Sequence, residues 1–138
     1  MAPIGSLIIS DKAKIQRVLR IRKILDGGMR QVGYLAVAAI YALDNHIERL
    51  VDDQRRTKEL RAVLGKLNWV TKVEPIETKI LIFSVQPHIN ESVLMEKLKQ
   101  KGISISSMGH GKLRIVSHLY YREVIHTYVL ETPQKLNF

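Results

Sequence analysis

The chain has 138 residues, carries 22 Lys and Arg against 13 Asp and Glu for a formal charge of +9, and contains no cysteine. A chain of this length forms one modest domain or two small ones, and its 46% apolar and 25% charged residues are typical of a globular protein. Wholesale disorder is therefore excluded, as are disulfides, thiolate metal sites and cysteine nucleophiles. The lack of cysteine fits the cytoplasmic location that we expect.

Neither a secretory signal nor a membrane span is expected. No basic residue precedes the first apolar run, Leu7–Ile9, which we predict to be a short strand. The longest uncharged stretch, Gln31–Leu43, is shorter than the roughly 18–20 apolar residues that a membrane-spanning helix needs.

The first third of the chain predicts two helices. Asp11 is a suitable N-cap for a helix over residues 12–25, which two glycines at 27 and 28 would end. A second, longer helix is predicted to begin near residues 29–31. Its first half, Gly33–Leu43, is apolar almost all round, which predicts burial against more than one partner surface.

The apolar register of this second helix shifts around Asp52–Thr57, which predicts a bend and a boundary there or slightly earlier. We place it between residues 1–48 and 49–138. The second part predicts a small three-stranded α+β domain, so the fold class is α+β, with two long helices before that domain. Its predicted elements are strands at 79–85, 103–106 and 112–117, a helix at 91–101 capped by Asn90, and a final helix at 121–136 disturbed by Pro133.

Two arginines are candidate anion-binding residues. Arg30 follows the two glycines and is expected at the start of a helix, where free backbone N–H groups favour a phosphate or carboxylate. Alternation along the third strand places Arg114 on the face opposite Leu113 and Ile115, where it could hold a carboxylate by two parallel hydrogen bonds. For each, an ordinary solvent-exposed arginine is the alternative.

Other chemistry is not indicated. The five histidines show no metal-ligand spacing, and no nucleophile elbow, P-loop or dinucleotide fingerprint occurs. The basic residues of Lys12–Lys23 could form a nucleic-acid footprint, but they wind around the helix and lack an aromatic platform, which favours a solvated face.

Several motifs together resemble the C-terminal part of threonine aldolases, which belong to the pyridoxal-phosphate-dependent β-eliminating lyases. The resemblance covers essentially the whole chain, and its most specific element is Gly-Gly-Met-Arg-Gln with an Arg-Lys pair upstream. The motifs are Ala2–Ser6, Arg22–Leu25, Gly27–Gln31, Tyr41–Leu43 with His46, Arg49–Leu50 and Leu113–His118.

The resemblance implies the aspartate-aminotransferase fold (fold type I), with residues 1–48 as the tail of the large domain and 49–138 as the small domain. It implies a homo-oligomeric lyase that cleaves L-threonine or L-allo-threonine to glycine and acetaldehyde, with no nucleic-acid or membrane partner. It also implies that Arg114 binds the substrate carboxylate and that Lys23 and Arg30 lie near the cofactor phosphate.

The chain departs from the family pattern in one decisive way. In the family, the lysine that binds the cofactor covalently lies a few residues before the Ala-Pro-X-Gly-Ser motif, whereas here no lysine precedes Lys12. Asp26 and Tyr120 are smaller departures. We therefore expect no catalysis from this chain alone. A basic α+β module that binds a partner or oligomerises without catalysis is the alternative.

Overall fold

The computed structural model of the protein describes residues 4–136. It has two compact units, Met1–Glu48 and Arg49–Phe138. None of the described helices is both long and apolar enough to cross a membrane. The elements are α1 (Lys12–Ile24), α2 (Gly33–His46), α3 (Leu50–Leu64), β1 (Val70–Val73), β2 (Ile80–Val85), α4 (Glu91–Gln100), β3 (Ser106–Gly109), β4 (Lys112–Val116), α5 (Glu123–Glu131) and a 3-10 turn (Pro133–Lys135).

The first unit consists of α1 and α2 and the segments beside them. Asp11 caps α1 as predicted, since its Oδ1 accepts the backbone N–H of Lys14 at 2.9 Å. The prediction of a strand at Leu7–Ile9 is wrong, because these residues join no sheet and are exposed.

The start of α2 differs from its prediction. Gln31 adopts a left-handed conformation, with φ of 51°, which is incompatible with a continuous α-helix. The helix therefore begins at Gly33, and Arg30 lies in the turn before it. No residue of α1 or α2 is buried, so the predicted burial of Gly33–Leu43 is not met within the described chain.

The break between helices lies earlier than the predicted bend at Asp52–Thr57, which falls inside α3. Two polar residues explain the error. Asp53 and Thr57 are both 2% exposed and continue the buried face of α3 toward Leu60 and Leu64. The Thr57 hydroxyl donates to the Asp53 carbonyl at 2.7 Å. Because both residues are polar, the hydropathy pattern indicates an interruption of the apolar face at a place where the buried face continues.

The second unit contains a four-stranded antiparallel sheet in the order β1-β2-β4-β3, so the predicted three-stranded sheet is corrected to four. Strand β1 was not predicted, because it has only four residues, none of them buried. The predicted strand at 103–106 begins only at Ser106, because Ile103 and Ile105 pack on the core without joining the ladder.

Helices α3, α4 and α5 supply the apolar residues that cover one face of this sheet. Phe83, in the strand predicted at 79–85, is buried, with 1% exposure. The final helix is shorter than the predicted 121–136, because Pro133 starts a 3-10 turn. The buried apolar core is Leu60, Leu64, Trp69, Leu81, Phe83, Val85, Ile89, Leu94, Leu98, Leu113 and Val129.

Candidate functional site

The first candidate site is the turn between α1 and α2. Lys23 lies in the last turn of α1, and its side chain folds over the backbone of Gly28. A Cβ atom at Gly28 would lie 3.5 Å from Lys23 Cδ and 3.8 Å from Lys23 Nζ. At Gly27 a Cβ would lie 2.9 Å from Arg22 Cγ, so this position requires a glycine or a shift of Arg22.

Lys23 and Arg30 therefore belong to the same exposed turn, one at each end. No acidic side chain forms an ion pair with either of them within residues 4–136. Two uncompensated cations beside two glycines are suited to a phosphate group.

The second candidate site is Arg114, which lies in β4 of the other unit. Its neighbours in the antiparallel ladders are Ile82 of β2 and Ser106 of β3. Leu113 beside it is fully buried, whereas Arg114 is exposed, as the alternation predicts. In the described part of the chain, Arg114 makes no ion pair or side-chain hydrogen bond. Its guanidinium is thus available for an external carboxylate.

The hairpin that carries Arg114 is fastened to α4 by a carboxylate. Glu91 accepts the Ser107 hydroxyl and the backbone N–H of Gly111, both at 2.5 Å. The Ser107 hydroxyl in turn accepts the N–H of Gly109 at 2.9 Å. These bonds fix the β3–β4 turn, and they hold the pKa of Glu91 below its ordinary value of 4.5.

We expect Glu91→Gln to lower the free energy of unfolding at pH 7 and to have less effect in acid. A carboxyl with a lowered pKa stabilises the fold above its ordinary pKa and loses that contribution as the pH falls through the folded value. Urea unfolding at pH 7 and at about pH 3 would measure the difference. Glu96→Gln on the same helix is the control, and an equal effect of Glu91→Gln at both pH values would contradict the prediction.

A second network holds the segment that follows β4. His126 is 1% exposed; its Nε2 lies 2.7 Å from Glu59 Oε2 and its Nδ1 lies 3.0 Å from the Tyr121 hydroxyl. The hydrogen bond from His126 lowers the pKa of Glu59, and burial raises the pKa of Tyr121 to about 12. Arg56 donates to the Tyr121 carbonyl at 2.8 Å and to Glu123 at 3.0 Å. This network joins α3 to α5.

Lys23, Arg30 and Arg114 were predicted from the sequence, whereas neither of these networks was. Glu59 and His126 are 67 residues apart, so no local spacing relates them. Glu91 is an ordinary residue for the first turn of a helix, and its contact with the hairpin depends on the tertiary fold. Among the described residues, no group of three or more His, Asp or Glu could hold a metal ion.

Comparisons with known proteins show the family. Residues 1–87 match the sequence profile of the beta-eliminating lyases. The chain is 30% identical over 138 residues to a probable low-specificity L-threonine aldolase 2 of Arabidopsis thaliana, covering 98% of this chain and 39% of that protein. It is 34% identical over 117 residues to the low specificity L-threonine aldolase of Escherichia coli K12, covering 85% of this chain and 34% of that protein.

The fold comparison agrees with this. A solved complex of the cystine C-S lyase C-DES with cysteine persulfide matches 77% of this chain and 29% of that chain, with a TM-score of 0.58 and 16% identity. It supports the expected fold type, that of the pyridoxal-phosphate-dependent enzymes. The resemblance to threonine aldolases is thus confirmed, over little more than a third of the relatives' length. The chain belongs to the beta-eliminating lyase family, whose complete enzymes use pyridoxal phosphate.

Proposed function

We propose that this chain forms the C-terminal part of a threonine-aldolase-type lyase and supplies its substrate-carboxylate and cofactor-phosphate contacts. The observation that carries the proposal is Arg114, an exposed arginine on a sheet strand with no counterion among residues 4–136. The similarity to L-threonine aldolases of Arabidopsis thaliana and Escherichia coli supports an amino acid as the carboxylate ligand.

Each residue has a separate role in this proposal. Arg114 holds the carboxylate of a β-hydroxy amino acid by two parallel hydrogen bonds and so orients its Cα–Cβ bond. Lys23 and Arg30 neutralise the phosphate. Pyridoxal phosphate, when bound, supplies the electron sink for breaking that bond. None of the lysines of this chain is assigned covalent attachment of the cofactor in this proposal, because none precedes Lys12.

The unburied first unit supports assigning residues 1–48 to a large cofactor domain and residues 49–138 to the small domain. Large apolar side chains of α2, such as Val37 and Tyr41, are 67% and 60% exposed. Exposed apolar patches of this kind mark sites that another surface covers. The remaining part of the enzyme would do so.

The same apolar surface favours one other candidate, a module that oligomerises without catalysis. An activity assay on the completed enzyme separates the two, whereas light scattering of the chain does not. Self-association would be common to both, because we propose a cytoplasmic homo-oligomeric enzyme, but only the lyase would cleave threonine once complete.

A chimera tests the proposal. We expect a chimera in which this chain replaces the matched segment of the Escherichia coli aldolase to release acetaldehyde from L-threonine. We expect the isolated chain to release none and to retain no covalent pyridoxal phosphate after borohydride reduction, as measured by mass spectrometry. A folded chimera that binds pyridoxal phosphate without cleaving threonine would contradict the proposal, as would covalent attachment to the isolated chain.

A further inference from the structure

The sheet face that carries Arg114 has a defined set of neighbours. In the ladders, Arg114 is in register with Ile82 on one side and Ser106 on the other. The next rungs pair Lys112 with Ser84 and Val116 with Ile80. None of these side chains is buried, so the helices do not cover this face. Arg114 thus lies in the middle of an open face, with an apolar neighbour and a hydroxyl neighbour.

The orientation of Ser106 follows from the residue beside it. Ser107 donates its hydroxyl to Glu91 of α4, so its side chain points to the helical side of the sheet. Successive side chains of a strand point to opposite faces, which places Ser106 on the face of Arg114. Directly paired residues of antiparallel strands have Cβ atoms about 5 Å apart, so a small anion can touch both side chains.

The acidic side chain of this face is not paired with Arg114. Glu74, whose N–H bonds to the Ile82 carbonyl, forms an ion pair with Lys72. The common exposed partner of an arginine across a sheet is an acidic residue, yet the two neighbours of Arg114 are isoleucine and serine. Within the described residues, neither the Arg114 guanidinium nor the Ser106 hydroxyl has a hydrogen-bond partner, and they do not bond each other. Both are free donors on the same face of the sheet.

We propose that Ser106 is a second carboxylate-binding residue, which donates its hydroxyl to the carboxylate held by Arg114. This rests on the proposed function, because it takes Arg114 as the carboxylate ligand. A carboxylate has lone pairs for the two parallel bonds of an arginine and for at least one further donor. Ile82, on the other side of Arg114, offers no donor. The additional hydrogen bond to the carboxylate therefore comes from the Ser106 side of the arginine.

The test uses the full chain, isotope-labelled for NMR. L-threonine is titrated while the Arg114 Nε and Ser106 amide resonances are followed, and L-threoninol, which lacks the carboxylate, is the ligand control. We expect threonine to shift both resonances and threoninol to shift neither. Ser106→Ala should weaken threonine binding by about 10–100-fold, as expected for a hydrogen bond to a charged group. Ser106→Thr, which keeps the hydroxyl, should restore binding.

Ser84→Ala is the matched control, because Ser84 lies on the same face beside Lys112, and it should leave binding unchanged. If Ser84→Ala and Ser106→Ala weaken binding equally, or if Ser106→Ala has no effect while Arg114→Ala abolishes binding, the inference about Ser106 is wrong and the role of Arg114 stands. If threonine shifts neither resonance, or threoninol shifts both equally, the carboxylate role of Arg114 itself is wrong.

Discussion

Arg114→Ala is expected to lower kcat/KM for L-threonine in the chimera with the Escherichia coli aldolase. The decrease should correspond to a loss of about 2–4 kcal/mol of transition-state stabilisation. The alanine removes both parallel hydrogen bonds and leaves the substrate carboxylate without its counter-charge. Steady-state release of acetaldehyde, measured with a coupled dehydrogenase, gives the change. The kcat/KM of Arg114→Lys should lie between those of the unsubstituted chimera and of Arg114→Ala, because lysine keeps the charge but cannot form the paired hydrogen bonds.

The control for this experiment is Lys112→Ala. Lys112 is two residues away on the same strand and the same face, and it is also exposed, so its removal changes the general charge of the face by the same amount. It should alter kcat/KM little. A wild-type kcat/KM in Arg114→Ala, or an equal loss in Lys112→Ala, would exclude a specific carboxylate contact.

Phe83→Ala is expected to lower the free energy of unfolding of the second unit by about 3–5 kcal/mol. Phe83 is 1% exposed at the centre of the core, and its ring meets that of Trp69 edge-on, with centroids 6.3 Å apart at 65°. The alanine leaves a cavity that the helices cannot fill, and the aromatic contact is lost. Urea unfolding followed by Trp69 fluorescence measures the change.

Val116→Ala is the matched control, since Val116 lies in the adjacent strand but is 40% exposed. Its effect should be within about 1 kcal/mol. If Phe83→Ala cost no more than this control, the core would not depend on Phe83 in the way that its burial indicates.

Local signals predicted much of the fold. Asp11 and Asn90 were predicted as caps from residue type alone, and both side chains accept backbone N–H groups. The apolar run of β2 identified a core strand, because a continuous apolar run of that length is typical of one. The short strand β1 was missed, because four half-buried or exposed residues give no alternation to detect.

The buried polar residues explain the largest error in the helices. Asp53 is buried in α3 with Arg49 3.4 Å away and Arg56 4.0 Å away, so its burial depends on charges from the same helix and the residue that precedes it. A hydropathy pattern cannot anticipate this compensation. The hydropathy pattern therefore predicted a bend at Asp52–Thr57, where α3 is continuous.

The candidate site was predictable only in part. Arg114 was predictable because strand alternation and the family motif agree, and the structure leaves its side chain exposed. The start of α2 was not predictable, because Gln31 adopts a left-handed conformation although it is not a glycine. This turn separates Arg30 from the helix. Ser106 was predicted only as the end of the alternating strand 103–106, and the pairing of β3 with β4 is what places it beside Arg114.

The position of β4 in the sheet has a consequence for the dynamics of Arg114. Strands β1 and β3 form the two edges, whereas β4 has a hydrogen-bonded neighbour on each side. Edge strands open in local fluctuations, but the amides of an inner strand exchange with solvent mainly when the whole unit unfolds. The backbone beneath the guanidinium therefore stays in place while the edges of the sheet fluctuate.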